Sequence, residues 1–423
     1  MSADDAEQGA DTGASSTFAS FAVPAFRIIW LGTFLYYLSI FTGIIARGAL
    51  AKELGGTNTA LGLVTLAFGA ASLLMTPVGG VVADRFPKRA VIVGSTLLLA
   101  GTSAWLGITE LLEITEFWML VVVSAIQAVA FALLLPSRMA YTIELVGPRL
   151  IPNAVALSQV SLNVNRVLGP AVAGAMLGVS VLSYRAIYLT AAVLSLLAVA
   201  CFLFLGPGRP DPSRPVRAPT TELVEGLRYA RDNETIRPVL TLAILITMIG
   251  FPYVAFLPSV SEDFFGRGAA GYAQLSLVGA LGGLAAGLAV ARSSLDQGRR
   301  IQFWAGVAIG ASLGLLAIAP SFALAAVVTG GLGAATAAFQ SMNGTMALSA
   351  ADPSLHGRVQ SLLGLGFSAF GLASLPLGML ADRIGLDVTL GLMGAAVAAV
   401  AVVVQLRWNR SERVPDPDPI PVA

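Results

Sequence analysis

Gly79-Gly80-Val81-Val82-Ala83-Asp84-Arg85-Phe86-Pro87-Lys88-Arg89 is a short charged turn between two long apolar runs, near 59–83 and 89–109. Asp84, Arg85, Lys88 and Arg89 crowd four charges into six residues, and the stretches on either side carry none. A helix crosses about 30 Å of hydrocarbon with roughly 20 apolar residues. Each flank therefore spans a bilayer, and the turn marks one membrane face. The glycines ahead of the charges let two helix ends come close.

Outward from this turn the pattern repeats along the chain. Apolar runs fall near 26–50, 117–140, 153–178 and 184–206, and again near 238–260, 270–291, 301–319, 321–349, 356–380 and 386–407, twelve in all with the two already named. A closed barrel would need alternating strands of about ten residues. These runs are too long and too uniformly apolar for that, so they read as helices. Only 12% of the 423 residues are charged and 56% are hydrophobic, where a soluble domain carries about 25% charged residues. Too few ions remain to cover a water-facing surface, and the bilayer is the solvent that resolves the mismatch. Forty-five glycines fit helices that pack without a hydrophobic drive between them. Gly279, Gly283 and Gly287, and likewise Gly306, Gly310 and Gly314, repeat every four residues.

The expected fold is all-α: twelve transmembrane helices in two six-helix halves. A tail, 1–25, precedes a first bundle, 26–206; a linker, 207–237, leads to a second bundle, 238–408, and a tail, 409–423. The linker opens with Pro207, Pro210, Pro212, Pro215 and Pro219, a stiff extended segment. It closes with Leu223 and Leu227 one turn apart, with Glu225, Arg228 and Asp232 on other faces, an amphipathic helix for the membrane surface. With the N-terminus inside, nineteen of the 25 Lys and Arg fall on the inner side, which places both termini in the cytoplasm. Arg138 is counted there, in the turn after the fourth run. The first seventeen residues are acidic (Asp4, Asp5, Glu7, Asp11) and lack a basic leader region, so the first run is read as retained.

Net charge is +1, so nothing points to nucleic acid. Cys201 and His356 are the only residues of their kinds, which excludes an internal disulfide and a histidine cluster. There is no nucleotide-binding glycine loop, no cofactor is expected, and no acid–base constellation suggests an enzyme.

The charged turn resembles the signature of the Major Facilitator Superfamily at this place: glycine, an Asp-Arg pair, then a basic cluster. The resemblance implies a cytoplasmic latch made by Gly80, Asp84, Arg85, Lys88 and Arg89. Its implied partner is the positive N-terminal end of the eleventh helix, where Asp352-Pro353 reads as a cap and a first-turn proline. In the fifth run, Asn163, Arg166, Gly169, Pro170 and Gly174 resemble the Gly-Pro motif of the family's antiporters, with Ala173-Gly174 in place of paired glycines. The Asn-x-x-Arg-x-x-Gly-Pro run, Ala51-Lys52-Glu53-Leu54-Gly55-Gly56, Pro136-Ser137-Arg138 and Ile151-Pro152-Asn153 resemble the enterobactin- and macrolide-exporter branch.

That branch implies a bacterial cytoplasmic-membrane exporter of drugs, siderophores or other amphiphiles, a lipid-embedded monomer with protons as coupling ion. An importer of the same fold and a membrane sensor remain alternatives. By resemblance the first, fourth, seventh and tenth helices line a midplane cavity. Tyr36, Tyr37, Gln127, Phe131, Tyr253, Gln340 and Asn343 are its candidates. Arg47 joins them. A central arginine costs roughly 2.5–3.5 kcal/mol, and it either snorkels to the outer face or turns into the cavity. No Asp, Glu or His stands mid-helix to carry a proton.

Overall fold

A computed structural model describes residues 17–178, 183–209, 228, 229, 231, 233, 236–290, 295–352 and 356–411. Within them the chain is helical and has no strand. The helices are α1 Pro24–Gly55, α2 Asn58–Arg85, α3 Lys88–Leu111, α4 Phe117–Val146, α5 Ile151–Leu177 and α6 Tyr184–Leu203. They continue with α7 Ile236–Phe264, α8 Gly268–Val290, α9 Leu295–Ala317, α10 Phe322–Ser349, α11 His356–Ile384 and α12 Leu386–Ser411. Eleven are long and apolar enough to cross a membrane. The remaining one, α5, has the length but carries Gln159, Asn163, Asn165 and Arg166 through its middle.

Local chemistry sets the ends. Pro24 opens α1, and Gly56 closes it in the left-handed region at φ 68°, a conformation glycine adopts without penalty. The Thr57 side chain accepts from the Ala60 amide at 3.1 Å to cap α2, and Ser321 caps α10 through Leu324 at 3.3 Å. Phe251 and Pro252 interrupt α7, which ends in a wide π turn at Val260–Phe264.

The contacts group the chain into two units, Met1–Val216 with Pro258–Leu277, and Arg217–Leu257 with Val278–Ala423. The α7–α8 turn groups with unit 1, where residues of α1 and α5 hold it. Lys52 pairs with Asp263 at 2.8 Å, Gly48 lies against the Tyr272 ring, and Gly174 lies against Ala273.

Unit 1 packs around Phe26, Tyr36, Tyr37, Ile92, Leu99, Tyr141 and Phe202. Glycines set its closest approaches: Gly32 faces the Phe202 ring, Gly79 the Ala132 carbonyl, and Gly169 the Phe41 backbone. Ser39 bonds Ala191 O at 2.7 Å and Ser195 Oγ at 2.8 Å, joining α1 to α6. In unit 2, Gly282 meets the Gly330 carbonyl and Gly333 meets that of Gly279, so α8 and α10 touch backbone to backbone. Gly310 and Gly394 do the same for α9 and α12. The four-residue glycine stripes are therefore only partly used. Gly279, Gly283, Gly306 and Gly310 face neighbours, while a Cβ at Gly287 or Gly314 would meet nothing within 4 Å.

Lipid tails are as apolar as leucine, so dispersion at these glycine contacts carries much of the helix association. Gly333→Val forces a methyl-bearing carbon onto the Gly279 carbonyl and should cost about 1–3 kcal/mol. Gly344→Val, on the same helix in open space, carries the same change in helix propensity without the clash. Thermal midpoints in detergent should fall for the first variant well beyond the second.

Candidate functional site

At the Asp84 end, the glycine that needs its lack of a side chain is Gly79, whose Cβ would strike Ala132 O; a Cβ on Gly80 would meet nothing within 4 Å. Asp84 is half-buried and Arg85 exposed. Lys88 and Arg89 are turned to the exit of α6. Lys88 Nζ pairs with Glu144 Oε2 at 3.1 Å and donates to Arg209 O. Arg89 Nη1 donates to Leu205 O at 2.7 Å, and its amide to Pro207 O at 3.2 Å. Tyr141 donates its hydroxyl to Gly206 O at 2.5 Å, and the Arg209 amide donates to Glu144 Oε1 at 3.1 Å. Five polar groups thus fix the chain where it leaves unit 1. Pro353, expected at the partner end of α11, lies outside the described residues, as does nearly all of the expected linker helix. Of that region, Tyr229 accepts from the Asp352 amide at 3.3 Å.

Helix α5 has two characters. One face, Ala154, Leu157, Ser161, Asn165, Gly169 and Ala173, is buried in unit 1. Trp30 Nε1 donates to Leu157 O at 3.0 Å, and Gly169 meets Phe41 and Thr42, so α1 and α5 run side by side in one direction. Asn165 donates to Ser161 O at 2.9 Å; its own Oδ1 has no partner. A second face carries Gln159, Asn163 and Arg166 at helical spacing, with Gln159 and Arg166 exposed and Gln159 Nε2 lying 3.4 Å from Asn163 Oδ1. Arg166 is exposed on this face.

The remaining candidates divide. Arg47 does not snorkel: it is only 7% exposed and donates to Gln127 Oε1. Gln127 Nε2 in turn donates to Thr102 Oγ1 at 3.2 Å, and Tyr188 and Tyr272 stand near the guanidinium. Tyr36 and Tyr37 are buried and meet edge to face at 5.7 Å between centroids. Phe131 lies against Phe68 at 6.3 Å. In unit 2, Tyr253 is buried near Thr336, Gln340 is half-buried, and Asn343 Oδ1 accepts from Gln302 Nε2 at 2.5 Å. Among the described residues no cluster of His, Cys, Asp and Glu could hold a metal.

Two polar residues escape a reading of the sequence. Arg138 is assigned to a turn because Pro136 looks like a helix end, yet α4 runs on to Val146 with Pro136 inside it. Arg138 is buried, and its guanidinium lies 5.7 Å from the centre of the Tyr37 ring. The signal was the apolar Ile143, Leu145 and Val146 beyond it. Gln302 is a lone amide near the start of α9, and nothing in its spacing marks Asn343 as its partner.

A model of the Major Facilitator Superfamily matches residues 29–371. Macrolide efflux protein A of Streptococcus pyogenes is 25% identical over 390 residues, 89% of this chain and 94% of its own length. The enterobactin exporter EntS of Shigella flexneri is 25% identical over 62% of this chain and 63% of its own length. Among solved structures, a POT family transporter in complex with 5-aminolevulinic acid superposes with TM-score 0.74 at 12% identity, over 91% of this chain and 96% of that one. The nucleoside transporter NupG does so with TM-score 0.69 at 16% identity, over 92% and 100%.

Gln127→Leu leaves the Arg47 guanidinium buried without its acceptor and should lower stability by about 1.5–3 kcal/mol. The double change Arg47→Met with Gln127→Leu removes both partners and should recover most of that loss. Thermal midpoints of the two single variants and the double form the cycle that measures the coupling.

Proposed function

The chain belongs to the Major Facilitator Superfamily, and on that premise we propose that it is a secondary active exporter of amphiphilic small molecules, of the drug or siderophore kind. It works by alternating access in a bacterial cytoplasmic membrane, as a monomer, with protons as the coupling ion. Both termini and the Asp84 end face the cytoplasm. The bundles 26–206 and 238–408 rock about the linker 207–237.

The observation that carries this reading is the closure of the Lys52 end within unit 1. The Lys52–Asp263 pair, the Gly48–Tyr272 contact and the Gly174–Ala273 contact seal α1 and α5 against the α7–α8 turn. On this reading these contacts close that end, and the polar stripe of α5 is served from the Asp84 end, the side from which an exporter loads. The relatives named for efflux and export of macrolides and enterobactin support the direction and the amphiphilic cargo. Gly169 and Pro170 sit where α5 touches α1. A proline there removes a backbone hydrogen bond and lets the helix flex as the sealed end opens. The Lys88 and Arg89 contacts hold the α2–α3 turn to the α6 exit, so that Asp84 is presented rigidly to the start of α11 when the cytoplasmic side closes.

Inverted membrane vesicles energised with a proton gradient should accumulate a fluorescent amphiphile, and a protonophore should stop them. Accumulation only by right-side-out vesicles would reverse the direction and sink the export reading. Asp84→Asn should slow transport about tenfold, equivalent to some 1.4 kcal/mol lost from the cytoplasm-closed state, without weakening binding of the amphiphile. Asp263→Lys should shift the resting population away from the sealed state by a few-fold, since a half-exposed pair is worth about 0.2–1 kcal/mol. Adding Lys52→Asp should restore it, read by hydrogen–deuterium exchange at the amides of Val260–Phe264.

A further inference from the structure

Three arginines of unit 1 stand well inside their helices: Arg47 in α1, Arg138 in α4 and Arg166 in α5. Every described aspartate and glutamate stands at a helix end or in a turn, as Glu53, Asp84, Glu110, Glu144, Glu262 and Asp382 illustrate. The interior of the unit therefore holds cations without a matching carboxylate. Arg47 is answered by the neutral Gln127. Arg138 and Arg166 are not answered in that way.

Arg138 is 8% exposed, and its Nε has no hydrogen-bond partner. Its guanidinium lies over the Tyr37 ring at 5.7 Å. Arg166 stands on the polar stripe of α5 with Asn163 and Gln159, and α5 packs along the helix that carries Tyr37. The hydroxyl of Tyr36, next to Tyr37, is also buried without a partner. Two unpaired donors and one guanidinium thus gather at this pair of rings, with a second arginine on the neighbouring helix.

We propose that this place recognises the anionic group of an amphiphilic substrate, with Arg138 over the Tyr37 ring as its cationic anchor and Arg166 of the adjacent α5 as a second cation. The inference rests on the export reading for its cargo but not for its direction. A buried guanidinium with an unpaired N–H favours an anion, which supplies both the charge and the acceptor lone pairs that the interior of the unit lacks. A cationic amphiphile would meet like charge in a low-dielectric site, and a neutral one would leave Arg138 Nε and the Tyr36 hydroxyl unpaired. The Tyr37 ring adds an apolar surface for the body of the molecule. Small inorganic anions share the acceptor chemistry, so the test separates the two sources.

The full chain in neutral phosphatidylcholine nanodiscs is titrated with dansyl-undecanoate, its methyl ester, and a dansyl-undecylamine of equal length. The carboxylate should bind about tenfold or more tighter than either of the others, the scale of one charge-assisted contact. Arg166→Gln and Arg138→Gln should each lower the ratio of carboxylate to ester affinity severalfold, and the lysine variants should keep part of it. Arg166 is exposed, so its variant folds irrespective of any void left by Arg138→Gln. Equal affinity for the three probes, tighter binding of the amine, or unaltered preference in Arg166→Gln overturns the proposal. Exchange of gluconate for chloride at constant ionic strength should leave carboxylate binding intact; loss of binding in chloride would make the site one for inorganic anions and overturn it as well. Vesicles that import would end the export reading and leave this preference standing. Vesicles that export, with no carboxylate preference in nanodiscs, would end this inference alone.

Discussion

Hydrocarbon offers no hydrogen bonds, and most of this structure follows from that. A peptide group that enters the bilayer must be satisfied within its own helix, because an orphaned polar group there costs several kcal/mol. The described chain is accordingly helix and turn. Polar side chains obey the same demand locally. Thr96, Thr102, Thr109, Ser137 and Ser158 bond back to carbonyls of the preceding turn, and Ser39 reaches across to α6. The exceptions are buried side-chain atoms left without a hydrogen bond; they include Tyr36, Thr42, Arg138, Ser161 and Asn165 on α1, α4 and α5, and Ser95, Tyr188, Ser259 and Thr336 on other helices.

What the sequence could reveal tracks this constraint. Twelve long apolar runs are visible because the bilayer imposes length and composition on each helix separately. The one helix that falls short in apolarity, α5, does so through Gln159, Asn163, Asn165 and Arg166. Its polar face carries the exposed Gln159 and Arg166, and its other face carries a close glycine contact with α1. Boundaries were harder. Pro136 reads as a helix end because a proline removes one backbone bond. Within a bundle that loss is absorbed, so α4 continues. Arg138 therefore moves from a loop charge to a buried one, and its meaning changes with its depth.

Side-chain partnership was mostly illegible. Arg47 announces itself as an anomaly in an apolar helix, but nothing along the chain says that Gln127 will accept its proton or that Thr102 will accept from Gln127. Those residues come together only through the packing of α1, α3 and α4. Lys88 and Arg89 show the opposite case. Their position in the charged turn was plain, but their contacts with Glu144 and with the carbonyls of Leu205 and Arg209 depend on where α6 leaves the unit. A motif fixes which residue types are present; the neighbouring helix ends decide which of them remain available.

The grouping of the α7–α8 turn with unit 1 ties these observations to motion. An alternating-access device needs contacts at one end that are strong enough to hold and weak enough to release. A single partly exposed ion pair, Lys52–Asp263, is worth little by itself. Gly48 under the Tyr272 ring and Gly174 against Ala273 add contact area that depends on close approach and vanishes together once the surfaces part. Such an end separates as a unit, because dispersion falls steeply with distance. Pro258 lies within α7 at the margin of this turn, and Gly266 and Gly268 follow in the left-handed region at φ 60° and 50°. The chain can thus change direction there without straining an ordinary residue. The residues that make these contacts and the glycines that let the chain turn lie in one stretch of twenty residues, Pro258–Leu277, so the proposed exporter would hold and release this end through a single short segment.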